Sequence, residues 1–223
     1  MVDLYQRILD ISYKNKCSHL GSYFSAVSII DNIFKQKSKD DIFILSSGHA
    51  AIALYCVIEK YYGKDAEKLF KKHGGHPHRD ELNHIHCSTG SLGLGITVAV
   101  GRALANPNKK VYVLLSDGEC AEGSVWESLR FIKEQNIENI EVYVNANGYA
   151  AYDSVDINYL ETRLKSFLPS INVIAESHEA VDVKPSINVI RTKVNQFSFL
   201  NGLNAHYHVM SKDDYDEATK ELK

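Results

Sequence analysis

An apolar run over Val111–Leu115 ends in Ser116-Asp117-Gly118-Glu119, and a second run over Ile140–Val144 leads to Asn147-Gly148, thirty residues after Asp117. If both runs are strands of one parallel sheet, their ends lie side by side. Each then delivers one oxygen ligand to the same edge. A carboxylate and a carboxamide oxygen suit a hard cation such as Mg²⁺, which completes its shell with water and phosphate oxygens. Gly118 lets a bulky group approach the backbone. An Asp-Gly pair alone is a common turn signal. Here it stands between a strand-like and a helix-like segment, at the edge where open parallel sheets bind ligands. Asn147 repeats the pattern at the distance of one crossover helix, so the pair reads as a site for a metal-bound diphosphate.

Two further groups of residues could do chemistry. Gly90, Gly93 and Gly95 accompany a helix-like stretch of small and apolar residues, Ser91–Ala105. Such a loop lets backbone touch a ligand, and the helix N-terminus behind it favours phosphate. The spacing is not the dinucleotide Gly-x-Gly-x-x-Gly and no strand precedes it, so close packing of helix on sheet is the competing reading. The chain also holds ten histidines: His19, His49, His73, His76, His78, His84, His86, His178, His206 and His208. His76-Pro77-His78 and His84-Ile85-His86 could chelate zinc. Zinc sites usually combine closely spaced Cys and His with carboxylates in a fixed register, which this stretch does not reproduce. Residue type alone leaves a surface role open for each.

These groups need a scaffold. Helical spacing is read over Asp3–Lys14, Ser25–Phe34, His49–Tyr62, Ser91–Ala105, Glu122–Gln135 and Asn158–Ser166. Strands are read at Asp41–Leu45, Val111–Leu115, Ile140–Val144, Asn172–Ala175 and Ser186–Thr192, with residues 73–90 as a long loop. Alternating strands and helices predict an α/β fold, a mostly parallel sheet with helices on both faces. No linker or repeat divides the chain, so one domain over 1–223 is expected.

Composition excludes more than it assigns. With 223 residues, 44% hydrophobic and 24% charged, the chain resembles ordinary globular proteins. A net charge of −3 gives no reason to expect nucleic acid. No run of about 20 apolar residues could span a bilayer, and the N-terminus lacks the apolar core of a signal peptide. Cys17, Cys56, Cys87 and Cys120 are widely spaced, which favours reduced thiols and a cytoplasmic setting.

Five segments stand in the order, and with the residues, of one family. Ser18–Ser22, Phe43–Ala50 and Gly75–Pro77 resemble the three active-site histidine loops of transketolases. Ser88–Gly95 is similar to their glycine-rich cofactor loop. Asp117–Gly123 with Asn147 resembles the thiamine diphosphate fingerprint, Gly-Asp-Gly followed by Asn. The likeness covers nearly the whole chain and is to the N-terminal half of transketolase. It implies the diphosphate-binding domain fold, with thiamine diphosphate and Mg²⁺ as cofactors. It implies Asp117, Asn147 and the Tyr149 carbonyl as metal ligands. Gly90, Leu92, Gly118 and His49 would then lie against the cofactor. Glu122 matches an acidic residue that links paired cofactor sites across an interface between protomers. His19, His76 and His206 would bind sugar hydroxyls and move protons, while the other six histidines have no matching role.

In that family the glutamate that activates the aminopyrimidine, and most groups that hold the sugar phosphate, lie in a following pyrimidine-binding domain. The chain ends at Lys223, before such a domain. The resemblance therefore implies the N-terminal subunit of a split transketolase, acting on sugar phosphates with a separate C-terminal, pyrimidine-binding subunit, in a heterotetramer. The departures gather on the substrate side. Ser116 replaces the first Gly of the fingerprint, and Gly148-Tyr149-Ala150-Ala151-Tyr152-Asp153 replaces Gly-Leu-Gln-Ile-Asp-Gly. Lys193–Phe197 replaces a Lys-Gly-x-Gly loop, and Ala205 replaces a Trp. They predict retained cofactor binding with an altered substrate, such as an unusual or branched sugar. A thiamine diphosphate-dependent acyloin or deoxysugar-phosphate synthase, and a cofactor-free interaction module, are the alternatives.

Overall fold

Asp3 opens the first helix, α1 (Leu4–Lys14), by accepting from the backbone N–H groups of Tyr5 and Gln6. That satisfies two donors a helix leaves open at its N-terminus. The computed structural model describes residues 3–167, 170–175 and 186–222; His178 lies outside them. The other helices are α2 (Leu20–Gln36), α3 (Ala51–Tyr62), α4 (Ala66–His73), α5 (Leu94–Ala105), α6 (Gly123–Glu134), α7 (Ile157–Lys165), α8 (Asn204–Tyr207) and α9 (Lys212–Glu221). The strands are β1 (Ile42–Leu45), β2 (Val111–Ser116), β3 (Ile140–Ala146), β4 (Ser170–Ala175) and β5 (Ser186–Arg191).

All pairings are parallel, in the order β1-β2-β3-β5-β4. Alternate residues of each strand enter different cores. Phe43, Leu45, Tyr112, Leu114 and Tyr143 pack with residues of α1, α2 and α3. Ile42, Ile44, Val111, Val113, Val142 and Val144 pack with α5, α6 and α7 on the other face. A strand covered on both sides reads as a continuous apolar run, which is why β2 and β3 are plain in the sequence. The expected α/β architecture with helices on both faces is the one observed.

The differences lie in the helices. α2 begins at Leu20, five residues before the expected start, because Gly21, Ser22 and Ser25 are buried small residues rather than helix-forming apolar ones. α4 and α9 are absent from the helices that apolar spacing predicts. The start of α4 is fixed by Asp65, whose side chain accepts from the Lys68 N–H, and its eight residues are too short a stretch to establish a helical period. α9 carries a single buried residue, Ala218, and so has almost no apolar period. Its capping box, Ser211 with Asp214, is the legible signal. Residues 73–90 are largely irregular as expected, with one 3₁₀ turn at Glu81–Asn83 and an Asp80–Ile85 bridge. The four cysteines are free thiols. No helix among the described residues is long and apolar enough to cross a membrane.

Candidate functional site

β2 and β3 are neighbours, with Ser116 opposite Asn145, so Asp117 and Asn147 leave the sheet together at its C-terminal edge. Open parallel sheets bind ligands at that edge. Asp117 is 2% exposed. Its Oδ1 accepts from the Gly118 N–H at 2.8 Å and its Oδ2 from the Gly148 N–H at 2.6 Å, so one carboxylate ties the two strand ends together. Asn147 Oδ1 accepts from the Tyr149 N–H at 3.0 Å. Beyond it, 148–155 folds back as a tight hairpin, with Ala150 N donating to Asp153 O and Val155 N to Gly148 O.

Asp117 has backbone donors but no counter-charge: among the described residues no Lys, Arg or His pairs with it. Burial pushes its pKa up to about 7 against the pull of those N–H groups. A cation beside it would offset the remaining cost of burying its charge. The donor set of carboxylate, carboxamide and a nearby backbone carbonyl is of the all-oxygen kind Mg²⁺ prefers. No backbone N–H among the described residues donates to the Tyr149 carbonyl. The residues therefore fit a divalent metal.

A second buried acid fixes the loop beside it. Glu119 is 0% exposed. Its Oε1 accepts from Ser46 Oγ at 2.5 Å and from the Gly93 N–H at 2.7 Å, and its Oε2 from the Ser116 N–H at 3.4 Å. The glycine-rich loop is thus clamped between the ends of β1 and β2. Thr89 Oγ1 adds a bond of 2.7 Å to the Leu45 carbonyl. The Gly93 N–H, at the start of α5, is consequently spent on Glu119 rather than open to a phosphate, unlike the expectation for that helix N-terminus. Burial raises the Glu119 pKa, opposed by the Ser46, Gly93 and Ser116 donors. Glu119→Ala would leave these buried donors without an acceptor. We expect it to destabilise the chain by about 2–4 kcal/mol, measured by denaturant unfolding at pH 7.

Three histidines from distant parts of the chain converge above the sheet edge. The ring centroids of His19 and His206 are 4.3 Å apart, those of His19 and His49 5.6 Å, and those of His49 and His206 5.4 Å. His19 caps α2 in the left-handed region at φ +68, a rare conformation for a non-glycine residue. It is held there by its N–H donating to His206 O at 2.8 Å and by Ser18 Oγ against its Nδ1 at 2.8 Å. Burial, then the neighbouring His206 and His76, lowers the His19 pKa to about 4. Burial, then the other three rings, lowers that of His49 to about 3. Burial alone lowers that of His206. Neutral imidazoles that can both donate and accept result at pH 7.

The His49 shift has a stability consequence. Its folded pKa lies below the unfolded value of about 6.5, so the unfolded chain takes up the proton first as pH falls. Stability should be unaffected by this ring above pH ~6.5. It should drop by up to ~1.4 kcal/mol per pH unit between about 6.5 and about 3. His49→Gln should flatten that part of the stability–pH curve, read as the difference between variant and wild-type unfolding midpoints.

The histidines, the glycine loop and the strand ends line one cleft of about 210 Å³. His76 closes one wall. It packs so tightly on Gly90, itself at φ +139, that a side chain there would meet its ring at 2.9 Å.

Residues 6–202 match the family model described as Transketolase, thiamine diphosphate binding domain. The chain belongs to that family. Over 97% of its length it is 25% identical to a Phocaeicola vulgatus protein named as one subunit of an apulose-4-phosphate transketolase, covering 90% of that protein. It is 27% identical to the Actinobacillus succinogenes protein of the same name, over 92% of this chain and 87% of that one. Its fold superposes on a transketolase from Leishmania mexicana with a TM-score of 0.77 at 20% identity, over 98% of this chain. The chain spans 40% of that longer chain.

Of the residues the transketolase resemblance pointed to, His19, His49, His76, His206, Gly90, Leu92, Gly118, Asn147 and Tyr149 line the cleft. Asp117 lies under its floor and opens onto a neighbouring groove shared with Gly118 and Tyr152. Gly118 backs directly on Ala150, which a side chain at 118 would meet at 2.8 Å. The room its small size provides is therefore filled by the hairpin. Glu122 is exposed, precedes α6 and packs beside Gly93, outside the cleft. His73 bonds Asp80, His84 stacks on Tyr62, His86 lies against the Phe43 backbone and His208 bonds Asp214, so these serve local structure. No cluster of metal-ligating His, Cys, Asp and Glu occurs among the described residues. The lining also includes Ser22 and Ser116, to which the sequence assigns no role, and Ala150, Ala151 and Tyr152 from the substituted segment expected on the substrate side. Sequence reasoning missed the role of Glu119, which stands in a polar strand-to-helix turn between Asp117 and Glu122 and so carries no signal of its burial.

Proposed function

We propose that this chain is the diphosphate-binding subunit of a two-chain transketolase that moves a two-carbon ketol unit between sugar phosphates, using thiamine diphosphate and Mg²⁺. The observation that carries the reading is the convergence of His19, His49, His76 and His206 with Asn147 and Gly118 in one cleft, above a buried Asp117 carboxylate that lacks a counter-charge. The two relatives whose names make them one subunit of a transketolase, matched over nearly their full length, support a separately encoded partner. We take that partner to be a pyrimidine-binding subunit in a heterotetramer, with the present chain folding as one domain. The free thiols suit a cytoplasmic enzyme.

When bound, thiamine diphosphate supplies the nucleophilic carbon that makes and breaks carbon–carbon bonds. Asp117, Asn147 and the Tyr149 carbonyl hold the metal, and through it the diphosphate. Gly118, Gly90, Leu92 and His49 lie against the cofactor, with Glu122 set at the boundary between protomers. His19, His76 and His206 face the space left for the sugar. A neutral imidazole there takes a proton from a substrate hydroxyl at one nitrogen while its N–H holds a second oxygen. Burial, reinforced by the crowding of like rings, keeps His19 uncharged and so able to accept. Tyr149 and Tyr152, in place of smaller or aliphatic residues, narrow the wall facing the sugar and favour a substrate outside central sugar metabolism. Apulose-4-phosphate, from the relatives' name, is the first donor or acceptor to try.

The test is a donor screen of the two-subunit enzyme, ketose phosphates against 2-keto acids, with aldose acceptors. Aldose release from a ketose phosphate supports the reading. Carbon dioxide release from pyruvate, with no aldose released from any ketose phosphate, would overturn it.

A further inference from the structure

Asn147 is only useful to a metal through its oxygen, and a carboxamide can turn either end towards the site. The structure surrounds it with a buried polar network that serves none of the roles described so far. Ser25, from the middle of α2, is fully buried beneath β3. Its Oγ accepts from Asn145 Nδ2 at 2.9 Å and from Asn147 Nδ2 at 3.4 Å, and its hydroxyl points to the Ser22 carbonyl at 3.4 Å. Asn145 is itself fixed from the other side, since Thr192 Oγ1, just past β5, donates to Asn145 Oδ1 at 2.5 Å. Asn145 and Thr192 are 3% and 8% exposed.

The directions of these bonds form a consistent chain. The Thr192 hydroxyl donates to Asn145 Oδ1, which turns Asn145 Nδ2 to Ser25. The Ser25 hydroxyl donates to a helix carbonyl, which leaves its oxygen as an acceptor for two amide groups. Asn147 Nδ2 therefore faces inward to Ser25, and Asn147 Oδ1 faces outward, where the Tyr149 N–H also meets it. A flipped Asn147 would set its NH₂ against the Tyr149 N–H and leave Ser25 facing an oxygen with its hydroxyl already used. Buried polar networks of this kind are stable only when every member is satisfied, and partners behind a metal ligand commonly set its affinity.

We propose that Ser25, backed by Asn145 and Thr192, is a positioning residue that presents the Asn147 carboxamide oxygen to the metal of the cofactor site. This rests on the reading of Asp117 and Asn147 as metal ligands. Three elements, α2, β3 and the end of β5, thereby contribute to one ligand, although only β3 leads into it. Ser22, whose carbonyl takes the Ser25 hydroxyl, also lines the cleft, so the network ends at the wall that faces the cofactor.

The test uses Mn²⁺ as a paramagnetic stand-in for Mg²⁺, with thiamine diphosphate present, and reads the Mn²⁺ dissociation constant of the full chain by electron paramagnetic resonance. Ser25→Ala should weaken binding about 10-fold. Thr192→Val, nearly isosteric and acting only through Asn145, should weaken it in the same direction by a smaller factor. An aspartate at 147 has two equivalent oxygens and nothing to orient. In an Asn147→Asp background, adding Ser25→Ala should therefore leave Mn²⁺ affinity unchanged, a rescue that general loosening of the fold would not produce. Melting temperatures of all variants separate folding from affinity. Unchanged affinity in Ser25→Ala, or an equal loss in the Asn147→Asp background, would overturn the proposal. Asp117→Ala and Asn147→Ala distinguish its failure from that of the underlying reading: if they too bind Mn²⁺ like wild type, the metal assignment itself is wrong.

Discussion

The chain on its own should transfer no two-carbon unit, and adding its separately encoded pyrimidine-binding subunit should raise the rate by about 10³-fold or more. The cleft presents His19, His49, His76 and His206, which the proposed enzyme uses on the substrate and diphosphate side. In the proposed enzyme the acid that activates the cofactor comes from the partner. Loss of one positioned acid or base group typically costs ~10²–10⁴-fold, and loss of the partner's sugar-phosphate contacts adds to it. The measurement is aldose release from a ketose phosphate by each chain separately and by their mixture. Full activity of this chain alone would show that it contains a complete site.

The next largest effect should come from the paired rings at 4.3 Å. His19→Ala and His206→Ala, each assayed in the two-subunit enzyme, should lower kcat by about 10²–10⁴-fold and leave thiamine diphosphate affinity within a few-fold of wild type. The two losses should not add, because the His19 ring is packed against the His206 ring. Residues that act as a unit give strongly non-additive losses. The contrasting profile, a large loss of cofactor affinity with little change in kcat, would move these rings from the sugar to the cofactor.

The parts of the molecule that carry chemistry are legible where chain direction and sheet geometry meet. Asp117 and Asn147 each follow a strand buried on both faces, and a continuous apolar run announces such a strand. The joining of His19, His49 and His206 is not readable from spacing, since their separation in sequence is large and only family likeness suggests it. What stays hidden is the polar support. Glu119 stands in a polar turn that gives no hint of burial, Ser25 stands in an apolar stretch that gives no hint of a polar task, and their partners come from other elements: Ser46 and Gly93 for one, Asn145 and Asn147 for the other. The missed helices have the same physical origin. α4 is only eight residues long and α9 buries only Ala218, so caps rather than periodicity mark them.

A crystal structure of the chain with its partner subunit, thiamine diphosphate and Mg²⁺ tests the central claim most directly. The account predicts one Mg²⁺ at about 2.1 Å from an Asp117 carboxylate oxygen, Asn147 Oδ1 and the Tyr149 carbonyl, with diphosphate oxygens completing its shell. Bound cofactor with those groups turned away from any ion would contradict it.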